Sequence, residues 1–288
     1  MRKCWTMKNK TVDLQPLIPS RAIANTYARE LSALIRAMIN DYRGVVDIYR
    51  DKRGQITGDD AWLTTDVEQR FARLGKKWQF EFEKYAKGKA PALVRKILRQ
   101  SDTQVKRILK NHLSDKYFEL IGNTVPTPLR QVMRANVAEN VALIKSIPVQ
   151  FAERIEGAIY RAITGGGTLK EITSVLHNSG AKSLRRAKLI AGDQTRKVFT
   201  TLAVKRMEQV GIQKYKWVHT HAGKTHRPYH LRKWDGVSGK KDGHPNGLNG
   251  FIFDMNHLPI IDERTGERGL PARLPFCHCL LQPVITFE

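Results

Sequence analysis

The chain has 288 residues, 50 Lys and Arg against 27 Asp and Glu, a formal net charge of +23 and 41% hydrophobic residues. That is enough apolar material for two domains or one elaborate one, and no run of about eighteen apolar residues marks a membrane-spanning helix. Cys4, Cys277 and Cys279 are too few and too unevenly spaced for a disulfide scaffold.

The charge favours a polyanionic partner, either nucleic acid or an acidic protein surface. Phosphate contacts position a protein without reading bases, so no sequence specificity is implied. Lys8, Lys10 and Asp13 interrupt any apolar run after the basic opening Met1-Arg2-Lys3. No secretory signal is therefore expected, and the Cys-x-Cys pair is expected to be reduced in a cytoplasm.

In chain order, residues 1–19 read as an arm, because Pro16 and Pro19 oppose a helix. Ile23, Tyr27, Leu31, Leu34, Ile35, Met38 and Tyr42 recur at helical spacing and predict a helix over 21–43. Thr65-Asp66-Val67-Glu68 fits a capping box for the next helix. That helix carries Phe71, Leu74, Trp78, Phe82 and Tyr85 on one side, a stripe that reads as core before it reads as a base-stacking platform. Lys87 to Pro91 predicts a break, and 92–120 a basic helix.

Residues 122–128, with Gly122, Pro126 and Pro128, read as a linker. Two helices follow, parted at Pro148. Gly165-Gly166-Gly167 lacks the spacing of a phosphate-binding loop and reads as a turn before a Thr168 N-cap. That helix is expected to stop near Asn178-Ser179-Gly180, and a last helix to span 182–210. Its basic start, with Arg185, Arg186 and Lys188, would oppose the helix dipole unless an anionic partner sits there. The period then changes. Tyr215, Trp217 and His219 alternate with Lys216, Val218 and Thr220, and with 251–253 and 284–287 they predict strands.

The expected fold is therefore mainly α. Long amphipathic helices fill the N-terminal and central parts, and a small loop-rich α+β module with a few strands follows. The expected divisions are an arm (1–19), a helical region (20–125), a second helical part (126–210) and a β/loop module with a His/Cys cluster (211–288).

Seven of the nine histidines and two of the three cysteines lie between Val218 and Leu280. A small segment poor in regular structure needs a staple, and zinc bound by Cys thiolate and His nitrogen supplies one. The candidate ligands are His230, Cys277, Cys279 and His226, with His219, His221, His244, His257 and His278 as spares. The opposing reading has buried thiols as small hydrophobes and histidines in polar loops. Pro228 prevents His226 and His230 from sharing one helical face.

An ordered motif set runs through this half of the chain. It comprises Arg186-Ala187-Lys188-Leu189-Ile190-Ala191, Gly211-Ile212, Tyr215-x-Trp217, Thr220, Arg227-Pro228-x-His230, Asp235-Gly236 and Pro275-x-Cys277-x-Cys279. In this order it resembles the C-terminal domain of the tailed-phage head morphogenesis, or minor head, proteins of phage Mu F-like and SPP1-like type, over about residues 150–285. Trp217, Pro228, Asp235 and Gly236 then count as structural positions of the motif. Two departures stand out. Gly223-Lys224 occupies the place where such proteins usually carry an acidic residue, and Phe276-Cys277-His278-Cys279 stands for their usual Asn-Cys-Arg-Cys.

The resemblance implies a minor capsid component made in the host cytoplasm and carried into the capsid interior. Its partners would be the portal protein, capsid or scaffold components, and DNA, with no membrane. Arg185, Arg186, Lys188 and Arg227 are the candidate contacts to DNA or an acidic partner, and no catalytic residue is expected. The alternative is a metal-dependent nuclease, or another His/Cys-site enzyme, with His230 as base or ligand and Arg227 as phosphate clamp. The scattered carboxylates Asp235, Asp242, Asp254, Asp262 and Glu263 offer that chemistry little support.

Overall fold

The computed structural model describes residues 10–48, 60–112, 115–165, 169–222, 226–232 and 247–287. Long helices make up the N-terminal and central parts, and a few antiparallel strands follow in the C-terminal region. Among the described residues, no helix is long and apolar enough to cross a membrane. The chain divides into two compact units. One gathers residues from 1–20, 95–134 and 193–288, and the other holds 21–94 and 135–192.

The second unit is helical. It holds α1 (Arg21–Ile48) and parts of α2 (Asp60–Leu109), α4 (Thr127–Gly165) and α5 (Leu169–Gln209). The apolar stripe of α1 is buried as its spacing predicts, at Ile23, Tyr27, Leu31, Ile35, Met38 and Tyr42. The Tyr42 ring stacks on Phe71 at 5.4 Å and meets Phe151 edge-on at 5.0 Å. Such pairs add to the burial of their area. Phe71, Trp78 and Phe82 are all buried, so the aromatic stripe of α2 is core. The Tyr27 hydroxyl donates to Asn140 Oδ1 at 2.8 Å, which gives this buried amide oxygen its partner.

Three expected helix breaks do not occur. Pro91 lies inside α2 and Pro148 inside α4. Each removes one helical hydrogen bond, but the neighbours Ala90, Val94, Ile147 and Phe151 are buried, and their packing holds the helix through the site. Gly180 lies inside α5, where a Cβ would stand 2.8 Å from Ile39 Cδ1. Glycine there reflects a close approach of α1, not a helix end. Because α5 begins at Leu169, Arg185 and Lys188 sit more than three turns inside it. Their positions therefore carry no penalty from the helix dipole, which acts within the first turn.

The first unit is built on a four-stranded antiparallel sheet in the order β1-β6-β2-β3, with β1 at Lys10–Asp13, β2 at Lys214–Val218, β3 at Ile252–Asp254 and β6 at Leu280–Phe287. Residues 10–13, inside the stretch expected to be an arm, form the edge strand β1, which pairs Val12 with Ile285. Leu14 and Leu17 follow it into the core. In β2 the alternation is as expected, with Tyr215 and Trp217 fully buried. A two-stranded ladder of β4 (Ile260–Asp262) and β5 (Glu267–Arg268) lies between β3 and β6 in sequence.

The helix expected over 92–120 is interrupted: α2 ends at Leu109 and the short helix α3 (Asp115–Asn123) follows, its Gly122 at φ 96° opening the expected linker, within which α4 already begins at Thr127. The Arg206 guanidinium donates to the Thr124 carbonyl and fixes the turn after α3.

Candidate metal centre

The site forms where the β2–β6 ladder ends. The register pairs Trp217 with Leu281 and Val218 with Leu280. Continued by one residue, it sets His219 opposite Cys279, on the face shared with Trp217 and Leu281. Alternation then puts Cys277 on the same side as Cys279. Both thiols are buried, whereas His278 between them is only half-buried.

His230 arrives from the short helix α6 (Pro228–Leu231). Pro228 opens that helix at a position where a missing N–H costs nothing. The Arg227 guanidinium donates to the Pro275 carbonyl at 3.0 Å and ties the helix to the Cys-x-Cys segment. On the other side, the Thr220 hydroxyl donates to the His278 carbonyl at 3.0 Å. The Leu248 N–H donates to the Tyr229 carbonyl at 3.0 Å. Gly247 permits this return, since a Cβ there would lie 2.1 Å from the Arg232 carbonyl oxygen.

His230, Cys277 and Cys279 bring their ligand atoms within 4.8 Å of one another, and all three are buried. His230 Nδ1 lies 3.6 Å from Cys277 Sγ and 3.7 Å from Cys279 Sγ. Tetrahedral zinc with bonds of about 2.3 Å to sulfur and 2.05 Å to nitrogen sets such edges at about 3.6 Å. His230 Nε2 lies 2.8 Å from the Ile261 carbonyl oxygen. A carbonyl only accepts, so Nε2 donates to it and Nδ1 is the ring nitrogen turned toward the two sulfurs. This is how a metal-ligating histidine is held. The Trp217 ring packs edge-on to His230 at 5.1 Å and excludes water from that side. The donor set, its spacing and its burial all suit zinc.

The two thiols divide one proton unequally. Hydrogen bonding from Cys279 pulls the Cys277 thiol down to about 4 against the opposing effect of burial, and the neighbouring His230 adds to the shift. The same hydrogen bond, together with burial, pushes the Cys279 thiol well up. Of the two thiols, Cys277 is therefore the more readily ionised. Burial and the neighbouring His221 and His226 hold His219 below the ordinary histidine range, which keeps its ring neutral.

Of the four expected ligands, three come together and His226 stays outside. His226 is exposed, and its Nδ1 lies 3.1 Å from His219 Nε2. Arg227, expected to contact an anion, is half-buried and engaged with Pro275. Arg186 donates to Ser146 Oγ at 2.9 Å, while Arg185 and Lys188 are exposed. Lys188 lines a groove of about 810 Å³ with Arg29 and Arg36. Asp235, Gly236, Asp242 and His244 lie outside the described residues, as does the acidic-to-Lys224 departure. Asp254 and Asp262 accept the backbone N–H of Asn256 and Arg264 at 2.7 and 3.0 Å, so both carboxylates close turns. Among the described residues, the candidate metal group contains no carboxylate.

No local signal in the residues marks the backbone just before Cys277. Phe276 has φ 59°, a left-handed conformation that is costly for a bulky residue, and half of its surface is exposed. Its N–H donates to both Asp193 carboxylate oxygens, at 3.2 and 3.3 Å, and this turn aims Cys277 inward. Asn tolerates the conformation better. Phe276→Asn is expected to stabilise the protein by about 0.5–1 kcal/mol in urea unfolding. A loss of stability would contradict this account of the turn.

Fold and site together define a long-helical chain carrying a small sheet module with a zinc-compatible Cys2His cluster. Residues 153–282 match the family described as Phage Mu protein F like protein, the family that the motif order resembles. An uncharacterized protein of Haemophilus influenzae (strain ATCC 51907 / DSM 11121 / KW20 / Rd) is 25% identical over 212 residues, which cover 73% of this chain and 46% of that protein. The chain thus spans about half the length of this relative. No solved structure matches it.

Proposed function

We propose that the chain is a minor head protein of a tailed phage or prophage, acting in capsid assembly near the portal or the inner capsid wall. The match over residues 153–282 carries this reading. In support, the matched region includes His230, Cys277 and Cys279, which meet in one buried cluster. Zinc bound there would act as a staple, fixing α6 and the Cys-x-Cys segment to the end of the β2–β6 ladder. The protein would be made in the host cytoplasm and retained in the virion. The direct test is co-expression with the portal and capsid proteins of the same phage. The chain should sediment with assembled shells and portal. Shells of normal composition that form without it and never retain it would refute the role.

The finer part of the proposal is non-specific contact with packaged DNA. Lys188, Arg29 and Arg36 line one groove, and such a cluster suits a phosphate backbone. Changing all three to Glu is expected to weaken duplex binding about tenfold at moderate salt. It should also flatten the plot of log K against log salt by roughly 0.9 per lost phosphate contact. An unchanged slope in filter binding would move the DNA contact elsewhere.

A further inference from the structure

We infer that His219 is the fourth ligand of the metal centre, through Nδ1, closing a Cys2His2 tetrahedron with His230, Cys277 and Cys279. The inference rests on the zinc reading above and deepens it, because a fourth protein ligand leaves no open position for water or substrate.

Three observations carry it. The first is placement. The β2–β6 register sets His219 opposite Cys279, and His219 Nδ1 lies 3.3 Å from Cys279 Sγ, close to the sulfur–nitrogen edge of about 3.6 Å in a zinc tetrahedron. The second is orientation. His219 turns Nδ1 toward the cysteines and Nε2 toward His226 Nδ1, at 3.1 Å. His230 does the same, with Nδ1 toward the cysteines and Nε2 on the Ile261 carbonyl. In both cases the outer nitrogen has a partner that can take its proton, which leaves the inner lone pair for a metal. His226 is then the residue that orients His219, not a ligand itself.

The third observation is anchorage. The His219 N–H donates to Asn249 Oδ1 at 3.0 Å, and the hydroxyl of the next residue, Thr220, holds the His278 carbonyl between the two cysteines. The backbone of His219 is thus fixed to the Cys-x-Cys segment. Among the described residues, His230, Cys277 and Cys279 form the mutually close set, so His219 enters by turning its half-buried ring about the edge it already shares with Cys279.

Cobalt titration of the full-length metal-free chain, followed by zinc competition, tests the inference. The wild type is expected to show the intense visible bands of four-coordinate cobalt and a near-ultraviolet thiolate-to-cobalt band. His219→Ala should weaken metal binding about 100-fold or more and shift the visible bands as water enters. His226→Ala should cost about tenfold, as loss of an orienting partner does, and leave the spectrum unchanged. His219→Cys guards against simple misfolding, since it should keep the metal and raise the thiolate band by about half, three sulfurs replacing two.

If His219→Ala and His219→Cys match the wild type in affinity and spectrum while the wild type binds cobalt, His219 is not a ligand and the zinc reading stands without it. A wild type that binds no cobalt would overturn the zinc reading itself, and the assignment of His219 with it.

Discussion

Replacing Cys277 and Cys279 together by Ser is expected to release the bound zinc and to unfold or loosen the module around α6. The two thiolates would supply two of the ligands of a zinc held there, and a hard serine hydroxyl is a poor substitute for either. Binding to the folded state alone stabilises it by about 4 kcal/mol when free metal exceeds Kd a thousandfold. Losing that term should lower Tm by roughly 10 °C for the transition that reports this unit. In the wild type, a strong chelator should reproduce the shift, and in the double variant it should do nothing further. A double variant with wild-type Tm and wild-type metal content would show that the cysteines are packing residues. The long helical unit should keep its far-ultraviolet signal in either case, because its core at Tyr42, Phe71 and Phe151 is made without the cluster.

Arg206→Met is expected to be the most damaging single substitution outside the cluster. The Arg206 side chain is 1% exposed and its partner Asp102 is 13% exposed. Its guanidinium donates to both Asp102 oxygens at 2.6 and 3.1 Å, to the Thr124 carbonyl at 2.7 Å and to Gln209 Oε1 at 2.9 Å. One side chain therefore joins the end of α2, the turn after α3 and the end of α5 within the first unit. Methionine fills much of the volume but strands the Asp102 carboxylate without its counter-charge. Breaking a buried pair in this way costs about 3–5 kcal/mol, whereas exchanging both partners for apolar residues is often close to neutral. Urea unfolding should show that loss for Arg206→Met and recovery of much of it in Arg206→Met/Asp102→Leu. A loss under about 1 kcal/mol for the single variant would mean that the pair is solvated and dispensable.

The sequence was most informative where a periodic pattern met a buried face. The alternation of Tyr215 and Trp217 marks β2, and the stripe from Ile23 to Tyr42 marks α1. It was least informative where a local signal competed with packing. Pro91, Pro148 and Gly180 each read as stops, yet all three lie within helices whose neighbouring side chains are buried. Lys10–Asp13 reads as an arm because its partner strand lies some 270 residues away in the chain, beyond any local pattern. Arg206 is one of 50 basic residues, and nothing in its surroundings in sequence marks it as buried.

The candidate site was legible in part. Cys-x-Cys with His230 follows from residue type and from the motif order. The ranking of the remaining histidines does not, because it depends on strand register. Register, continued by one residue, sets His219 opposite Cys279, and it leaves His226 beyond the end of the ladder, against the outer nitrogen of His219 and the His221 ring.

Elemental analysis of the protein, purified without added metal or chelator, tests the central claim most directly, with Cys277→Ser/Cys279→Ser measured beside it. The expected result is about one zinc per wild-type chain and none in the double variant. A folded wild-type chain that carries no zinc, and takes up none when it is supplied, would contradict the metal centre and leave His230, Cys277 and Cys279 as residues of an ordinary buried core.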